Sequence, residues 1–355
     1  MLSITLAEVL ACIMLLALNA YVLLGGADYG GGVWDALASG PRRVRQRALI
    51  AHAIGPIWEA NHVWLILCVV LLFTCFPAAF ARIVTELHVP LTLMLVGVVL
   101  RGSAFIFRTY DSQRGDVQRR WGLIFALSSI FTPAMLGIVV GALATGAVGK
   151  ASQLVNPTFA QRFVLPWLNP FVIGVGVFAL ALFAFLAAVY LTVESGDDID
   201  LQNDFRRRAL GAEFVVFICA FGTQLWAGHF APSMRHMLTE SSLARPLQVA
   251  TGAAAIMAIA ALIARRHLVA RVAAAAQVSL ILWGWGIASF PYLVPPTITI
   301  ESAAAPPITL RLTLIVLAAG GVVLVPSIWY LFRVFKSHPM AFDELEHEEA
   351  VGDVT

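Results

Sequence analysis

Three polar side chains interrupt one apolar stretch of the chain, Gly55-Pro-Ile-Trp-Glu-Ala-Asn-His-Val-Trp64. They are Glu59, Asn61 and His62. An ionisable side chain at membrane depth costs at least about 2 kcal/mol, so it usually faces a partner or a path for water. We predict one helix over 49–76, on which His52, Glu59 and His62 share about 80° of the circumference. The stretch therefore predicts a functional polar stripe inside a membrane-spanning helix.

Two further ionisable residues are expected in the same half of the membrane. Asp28 follows the first apolar segment in Gly25-Gly-Ala-Asp-Tyr-Gly-Gly-Gly32, and Arg101 lies in the third segment. From the helical rise per residue, Glu59 is predicted about 15 Å deep and Arg101 about 10 Å deep, measured from one surface. The glycines allow helix backbones to approach closely, or the helix end to unwind.

Two interpretations of these residues stay open. In one, Arg101 and Glu59 form a buried ion pair that fixes helix packing. In the other, Asp28 and Glu59 are relays of a proton path, and Arg101 holds water and tunes the acids. His62 is a candidate relay or haem ligand, and equally a side chain that is simply hydrogen-bonded.

The composition excludes an ordinary soluble protein. Of the 355 residues, 60% are hydrophobic and 12% are charged, whereas soluble domains average about 25% charged residues. The mean hydropathy is +0.85. The net charge of +2 gives no indication of nucleic-acid binding. Neither HExxH nor CxxCH occurs, and we predict no metal site.

We predict an all-α polytopic membrane protein with nine transmembrane helices. Each apolar segment is long enough to cross about 30 Å of hydrocarbon. The first is expected to be a span and not a cleaved signal, because no basic region precedes it. The segments are 5–26, 49–76, 80–108, 121–145, 164–193, 208–230, 246–266, 270–290 and 309–334.

The basic residues predict the orientation of these spans. Sixteen of the 23 lysines and arginines lie in alternate loops and the C-terminal tail, against five in the other loops. Basic loops stay on the cytoplasmic side of a membrane. The N-terminus is therefore predicted to be periplasmic and the C-terminus cytoplasmic.

A faint internal repeat predicts two halves. Acidic residues precede Arg42-Arg-Val-Arg-Gln-Arg-Ala-Leu49 before the second span, and acidic residues precede Arg206-Arg-Arg-Ala-Leu210 before the sixth. Such joints also arise without a repeat wherever a cytoplasmic loop is acidic and then basic. We predict a single membrane domain over 1–355. Its parts are two pseudosymmetric four-helix bundles over 1–145 and 164–290, a ninth helix over 309–334 and a cytoplasmic tail over 335–355.

Three motifs together resemble subunit II of the cytochrome bd family of quinol oxidases. Gly26-Ala-Asp-Tyr-Gly-Gly-Gly32 resembles the family's Gly-x-Asp-Phe/Met-Gly-x-Gly. Gly55-Pro-Ile-Trp-Glu-Ala-Asn-His-Val-Trp-Leu65 resembles Pro-x-Trp-Asp/Glu-Gly-Asn-x-Val-Trp-Leu, although Ala60 replaces the usual glycine and His62 the usual Glu or Gln. Arg101-Gly-x-Ala-Phe105, with Arg108, resembles the arginine motif that ends the third span. The motif residues expected to be structural are Gly26, Gly30, Trp58, Asn61 and Trp64.

The resemblance implies a complex that oxidises quinol and reduces oxygen to water. It implies that the haem b and haem d-type groups lie in a larger subunit I, so that no catalytic residue is expected in this chain. Some members hold a structural quinone in subunit II. Asp28, Glu59 and Arg101 match the family's proposed proton-pathway positions, and His62 is a further candidate. The expected partners are subunit I, quinol through subunit I, membrane lipid and small single-span accessory subunits, all in a bacterial inner membrane.

Two other classes of function remain open. A proton-coupled secondary transporter would use the same buried carboxylates, but it would bind a solute near the middle of the membrane. In a purely structural scaffold subunit, the acids would only be part of a packing pair.

Overall fold

The computed structural model describes residues 4–54, 58–110, 116–151, 155–241 and 244–335, and within these ranges the chain is mostly helical. The prediction of an all-α polytopic membrane protein is confirmed. In chain order the elements are α1 Leu6–Ala36, α2 Arg43–Ile54, α3 Trp58–Cys75, α4 Pro77–Glu86, α5 His88–Tyr110, α6 Asp116–Ala144, α7 Ala147–Ala151, α8 Phe159–Phe163, α9 Pro170–Glu194, α10 Ile199–Phe230, α11 Pro232–Glu240, α12 Ala244–Ile263, α13 His267–Ser289, β1 Tyr292–Val294, β2 Ile298–Thr299, α14 Ile300–Ala303 and α15 Pro307–Phe335.

Eight of the described helices are long and apolar enough to cross a membrane by themselves. They are α1, α5, α6, α9, α10, α12, α13 and α15. The region of the second predicted span is different, because Ala60–Cys75 and Pro77–Glu86 pass the same test only as a pair that is bent by 117°. A count of nine is reached only if this bent pair is one span.

The first helix is longer than predicted. We expected the first span to end at residue 26 and Asp28 to follow it, but α1 continues to Ala36. The glycine run therefore lies inside a helix, and its end does not unwind. Glycine weakens an isolated helix by about 1 kcal/mol relative to alanine. Here the glycines are buried against neighbouring helices, and this packing offsets their low helix propensity.

The predicted helix over 49–76 is described in two parts. α2 is described to Ile54 and α3 from Trp58, and residues 55–57 lie outside the described ranges. His52 lies on α2 and His62 on α3. Because the side chain of Glu59 also lies outside the described residues, the polar stripe stays a prediction.

A sharp turn follows α3, where Pro77 begins α4 after Phe76. The third span begins at His88, not at residue 80, and Glu86 lies at the joint just before it. Glu86 is buried and accepts two hydrogen bonds from Arg162 of α8, at 2.9 and 3.1 Å. These bonds raise the pKa of the Arg162 guanidinium. The ion pair links the short helices α4 and α8.

α9 lies at the centre of the bundle and is the most buried of the candidate spans. It packs against α1, α6, α10 and α13. Its buried face includes Phe183, Phe185 and Leu186, which belong to the larger of two apolar clusters. By contrast, α15 is almost entirely exposed along its apolar length, so it lies at the periphery.

The basic joints predicted to share one side of the membrane do meet in space. Arg42 donates to Asp204 at 2.7 and 2.9 Å, and Arg45 pairs with Asp198. Arg208 donates to Gln46 at 2.8 Å. The Asp204 carboxylate raises the pKa of Arg42. These contacts link the start of α2 to the start of α10, so both joints lie at the same end of the bundle.

At the opposite end lies a small hairpin that the prediction of spans alone did not include. β1 and β2 are antiparallel, with Tyr292 opposite Thr299 and Val294 opposite Ile298. Val294 is fully buried in the second apolar cluster. The hairpin thereby fixes the segment between α13 and α15 against the bundle.

Candidate functional site: a buried ion pair between three helices

Two deeply buried charged side chains form an ion pair between α1 and α5. Arg101 donates from Nη2 to Asp28 Oδ1 at 2.7 Å and from Nη1 to Asp28 Oδ2 at 3.1 Å. Nη2 also donates to the Asp28 backbone oxygen at 3.1 Å. The two side chains are only 2% and 3% exposed. Such fork-to-fork geometry is the strongest form of an arginine–carboxylate contact.

The third helix of the site is α6. Its Ser129 accepts a hydrogen bond from Arg101 Nε at 3.1 Å. Aromatic rings cover the guanidinium, with the Tyr29 ring centroid 4.6 Å and the Phe125 ring centroid 5.1 Å from Arg101 Cζ. Ring faces attract a cation most strongly where water is excluded. Arg101 is therefore held by an acid, a hydroxyl and two rings.

A second ion pair lies about two helical turns further along the same two helices. Arg108 donates to Asp35 at 2.8 and 2.9 Å, and Arg47 of α2 approaches Asp35 Oδ1 to 3.8 Å. Asp35 follows Asp28 by seven residues and Arg108 follows Arg101 by seven. Residues seven apart lie on one face of a helix, so two parallel helices form two successive pairs. This matched spacing is visible in the sequence, yet our prediction missed Asp35.

The glycines of α1 bring the neighbouring helices close enough to build the site. A Cβ atom on Gly30 would lie 1.9 Å from the backbone oxygen of Phe183 in α9, and one on Gly26 would lie 2.8 Å from the Phe183 ring. A Cβ atom on Gly32 would lie 2.2 Å from Ser129 Oγ. The approach of α6 that gives Arg101 its hydroxyl partner therefore requires glycine on α1.

The motif at the start of α3 is described only in part, because the side chains of Trp58 and Glu59 lie outside the described residues. Asn61 is buried and donates to the Leu24 backbone oxygen at 3.4 Å. His62 is half-buried between Tyr21 and Tyr29, with ring centroids 6.1 and 6.2 Å away. Trp64 packs against the larger apolar cluster. Asn61 and His62 thus contact α1 next to Asp28.

Among the described contacts, Arg101 pairs with Asp28. The Arg101–Glu59 pair of the packing interpretation falls on a side chain outside the described residues. From the helical rise, Asp28, Glu59 and Arg101 are predicted in one half of the membrane. The predicted first span ends before Asp28, so the sequence does not predict a pair between Asp28 and Arg101. Because α1 continues for eight residues past Asp28, the carboxylate lies beside α5.

Another buried carboxyl group, which sequence reasoning did not single out, lies in the second half of the chain. Glu213 of α10 is 5% exposed, and its Oε1 accepts a hydrogen bond from Gln277 of α13 at 2.8 Å. Glu213 Oε2 and Gln277 Oε1 have no hydrogen-bond partner among the described atoms. A carboxyl group at the middle of an apolar segment was the signal that could have indicated it.

Two cavities lie near these groups. The larger, of about 400 Å³, is almost entirely apolar and lies between α1, α6, α9, α10, α12 and α13, with Gln224, Gln248 and Trp285 in its wall. The smaller, of about 60 Å³, reaches Asp28 and Asn61. Within the described ranges, no group of three or more His, Cys, Asp or Glu side chains could hold a metal ion.

These features define a class of protein: a multi-pass helical membrane protein with a charged pair buried between its first helices. Residues 6–335 match the family described as "Cytochrome bd terminal oxidase subunit II", and the chain belongs to this family. It is accordingly a multi-pass protein of the bacterial inner membrane. The resemblance drawn from the three motifs is confirmed over nearly the whole chain.

Individual relatives agree with this assignment. The chain is 24% identical over 330 residues to the "Putative cytochrome bd menaquinol oxidase subunit II" of Bacillus subtilis (strain 168), an alignment that covers 89% of this chain and 91% of the relative. It is also 24% identical over 210 residues to the "Cytochrome bd-I ubiquinol oxidase subunit 2" of Escherichia coli (strain K12), covering 59% of this chain and 54% of that protein. These two names specify different quinols.

A solved structure has the same fold. The match is to "The structure of bd oxidase from Geobacillus thermodenitrificans", with a TM-score of 0.74 and 22% identity. It covers 94% of this chain and 99% of the matched chain.

Proposed function

We propose that this chain is the haem-free subunit II of a quinol:oxygen oxidoreductase, and that it carries protons from the cytoplasm toward the oxygen-reduction site of subunit I. The observation that carries the proposal is the buried Asp28–Arg101 pair in a member of this family. A buried charge inside a membrane protein is by default a functional candidate. The proposed pathway residues are Asp28, Glu59, Arg101 and His62.

In the proposed mechanism, Asp28 takes up a proton that arrives from the cytoplasm and passes it on toward subunit I. Arg101 neutralises the charge of the carboxylate between these steps, because an unpaired charge at this depth is costly. Ser129, Tyr29 and Phe125 hold the guanidinium, so that it stays in place while the proton moves. The haems of subunit I supply the oxygen chemistry, and this chain supplies protons and support.

We infer an N-terminus in the periplasm and a C-terminus in the cytoplasm. Support comes from the sixteen basic residues of alternate loops and the tail, and from the ion pairs between the joints that open α2 and α10. In this orientation Arg108 and Asp35 lie closer to the cytoplasm than Arg101 and Asp28. The second pair would then lie between the cytoplasm and the first.

We further propose nine spans, with α3 and α4 together forming the second. We propose two pseudosymmetric bundles, over 1–145 and 164–290. The basic joints at Arg42 and Arg208 occupy matched positions in the two halves. These joints contact each other, because Gln46 bonds to both Asp204 and Arg208. The peripheral position of α15 is consistent with a ninth helix outside the two halves.

The large apolar cavity supports the proposal of a structural quinone in this subunit. Ligand cavities are mostly apolar with few polar groups and have volumes of about 300–1,000 Å³. Chloroform extraction of the purified complex, followed by quinone analysis, tests this. We expect bound quinone to decrease in a Gly284→Leu variant, because Gly284 lines the cavity. Unchanged quinone content would contradict this location.

Two other functions make different predictions. A proton-coupled transporter would bind a solute and act without a haem partner. A scaffold would use the Asp28–Arg101 pair only to fix packing, and the dense contacts of Arg101 favour that alternative over the transporter. Neither alternative requires Glu59 to transfer protons during oxygen reduction.

The first test of the proposed function is affinity purification of this chain from its native membrane. The eluate should show a reduced-minus-oxidised haem spectrum and quinol-driven oxygen uptake. A colourless and solitary protein would contradict the oxidase and favour the transporter. In the purified complex, Glu59→Gln should lower oxygen uptake with haem content unchanged, whereas loss of assembly would support the scaffold.

A further inference from the structure

A small cavity with a few polar groups in its wall connects the site to one end of the helix bundle. It measures about 60 Å³ and lies between α1, α2, α3, α9 and α13. Asp28 and Asn61 are in its wall, as are Tyr190, Glu194 and Arg271. Each water in the liquid occupies about 30 Å³, so this volume accommodates about two water molecules.

The wall contains a buried acceptor that a water in the cavity would satisfy. Asn61 is 1% exposed, and its Oδ1 atom has no hydrogen-bond partner among the described residues. Its Nδ2 atom makes only the 3.4 Å bond to Leu24. Buried side-chain oxygens that lack a protein partner are usually bonded to ordered water. Asn61 and Asp28 thus provide two polar groups for water at the inner part of the cavity.

The outer part of the cavity is formed by a charged pair at the helix ends. Glu194 is the last residue of α9, and Arg271 lies in the second turn of α13. Arg271 Nη1 is 3.7 Å from Glu194 Oε1, and its guanidinium lies 4.8 Å from the centre of the Tyr190 ring. The Glu194 side chain is 19% exposed and that of Arg271 is 35% exposed. The pair therefore touches both solvent and the cavity.

We propose that Glu194 and Arg271 form the mouth through which protons reach Asp28. A proton from solvent binds the Glu194 carboxylate, passes to the waters of the cavity, and leaves them for Asp28, which restores the Glu194 carboxylate. Arg271 positions Glu194 at the opening. This inference rests on the proposed function, in which Asp28 relays protons from this side of the membrane.

Chemical replacement of the carboxyl group tests the role of Glu194. Glu194→Cys in the assembled complex should lower oxygen uptake about a hundredfold, the lower end of the range for loss of a proton-transfer group. Iodoacetate then adds a carboxymethyl group and should restore most of the rate. Iodoacetamide adds a neutral group of nearly the same size and should restore none. A merely structural side chain would respond equally to both reagents.

Matched controls separate this role from general damage. The unmodified parent complex is treated with both reagents, which accounts for the native cysteines. Glu240→Cys, at an exposed carboxylate on α11 at the opposite end of the bundle, should retain the parent rate with either reagent. Haem spectra of every variant measure assembly.

The outcomes distinguish the mouth from the pathway itself. Loss of rate in Glu194→Cys with recovery by iodoacetate alone supports the mouth. If Asp28→Asn lowers oxygen uptake but Glu194→Cys does not, the proposal that Glu194 and Arg271 form the mouth is contradicted. The proposed function then stands. If neither substitution affects uptake, the proton path is overturned. Loss of haem in Glu194→Cys, or equal recovery with both reagents, assigns Glu194 a structural role and overturns the inference.

Discussion

The two halves of the chain each bury a carboxyl group between helices, and they do so with different partners. In the first half, Asp28 is paired with a full positive charge, Arg101, which also contacts Ser129. In the second half, Glu213 has one neutral partner, Gln277, and two oxygens of this pair have no partner among the described residues. Removing Arg101 leaves the Asp28 carboxylate buried without a counter-charge. Removing Glu213 leaves only the Gln277 amide without its partner.

The surroundings differ in the same way. Asp28 lines a small cavity that reaches the charged helix ends at Glu194 and Arg271. Glu213 lines neither of the two cavities described above. Under the proposed function, burial of an acid is not enough for proton transfer. The first site differs by the counter-charge of Arg101 and by a cavity that extends to the charged pair at the helix ends.

The largest effect on stability is expected from Arg101→Met. This substitution leaves the Asp28 carboxylate buried without its partner, which costs about 3–5 kcal/mol for pairs of this kind. Thermal denaturation and yield of the purified complex measure the loss. Arg245→Met, at an exposed helix end, is the control and should have little effect.

The same comparison can be sharpened by removing both charges together. Asp28→Leu combined with Arg101→Met should recover much of the stability lost in Arg101→Met, because no unpaired charge remains. It should not recover oxygen uptake. If the double variant is as unstable as Arg101→Met alone, the unpaired Asp28 carboxylate is not the cause of the lost stability.

A smaller effect is expected where α1 meets α9. Gly30→Ala places a methyl group 1.9 Å from the Phe183 backbone oxygen, so the helices must separate at a cost of about 1–3 kcal/mol. Gly222→Ala is the matched control, since a Cβ there meets nothing within 4 Å. That control should be neutral or slightly stabilising, because alanine favours a helix. Equal melting temperatures for the two variants would refute the close contact.

The smallest effect is expected at the second buried acid. Glu213→Leu replaces an incompletely bonded carboxyl group with an apolar side chain of similar volume, an exchange that is often neutral or stabilising. The melting temperature of the complex should stay the same or rise. A marked fall would mean that Glu213 has a partner outside this chain and would weaken the comparison.

The sequence predicted the helical membrane fold. It also predicted one half of the membrane for both Asp28 and Arg101, whose side chains pair in the structure. It did not predict their pairing, because the glycine run was interpreted as the end of α1 and the helix continues to Ala36. Once that helix is extended, the matched seven-residue spacings indicate both ion pairs.

Other parts of the site could not be obtained from the sequence in this way. Ser129 and Phe183 come from helices far along the chain, and only the packing of α6 and α9 against α1 brings them to the glycines. The same holds for Glu194 and Arg271, whose separation in sequence gives no sign of their 3.7 Å approach. Contacts of this kind depend on the relative positions of helices, which hydropathy and spacing do not specify.

The most direct test of the account compares Asp28→Asn with Glu213→Gln in the assembled complex. Each substitution removes one buried carboxyl group and keeps its size. At equal haem content, we predict that Asp28→Asn lowers quinol-driven oxygen uptake about a hundredfold or more, while Glu213→Gln retains the parent rate. Equal rates in the two variants, or a loss confined to Glu213→Gln, would contradict the claim that the Asp28 site carries the protons.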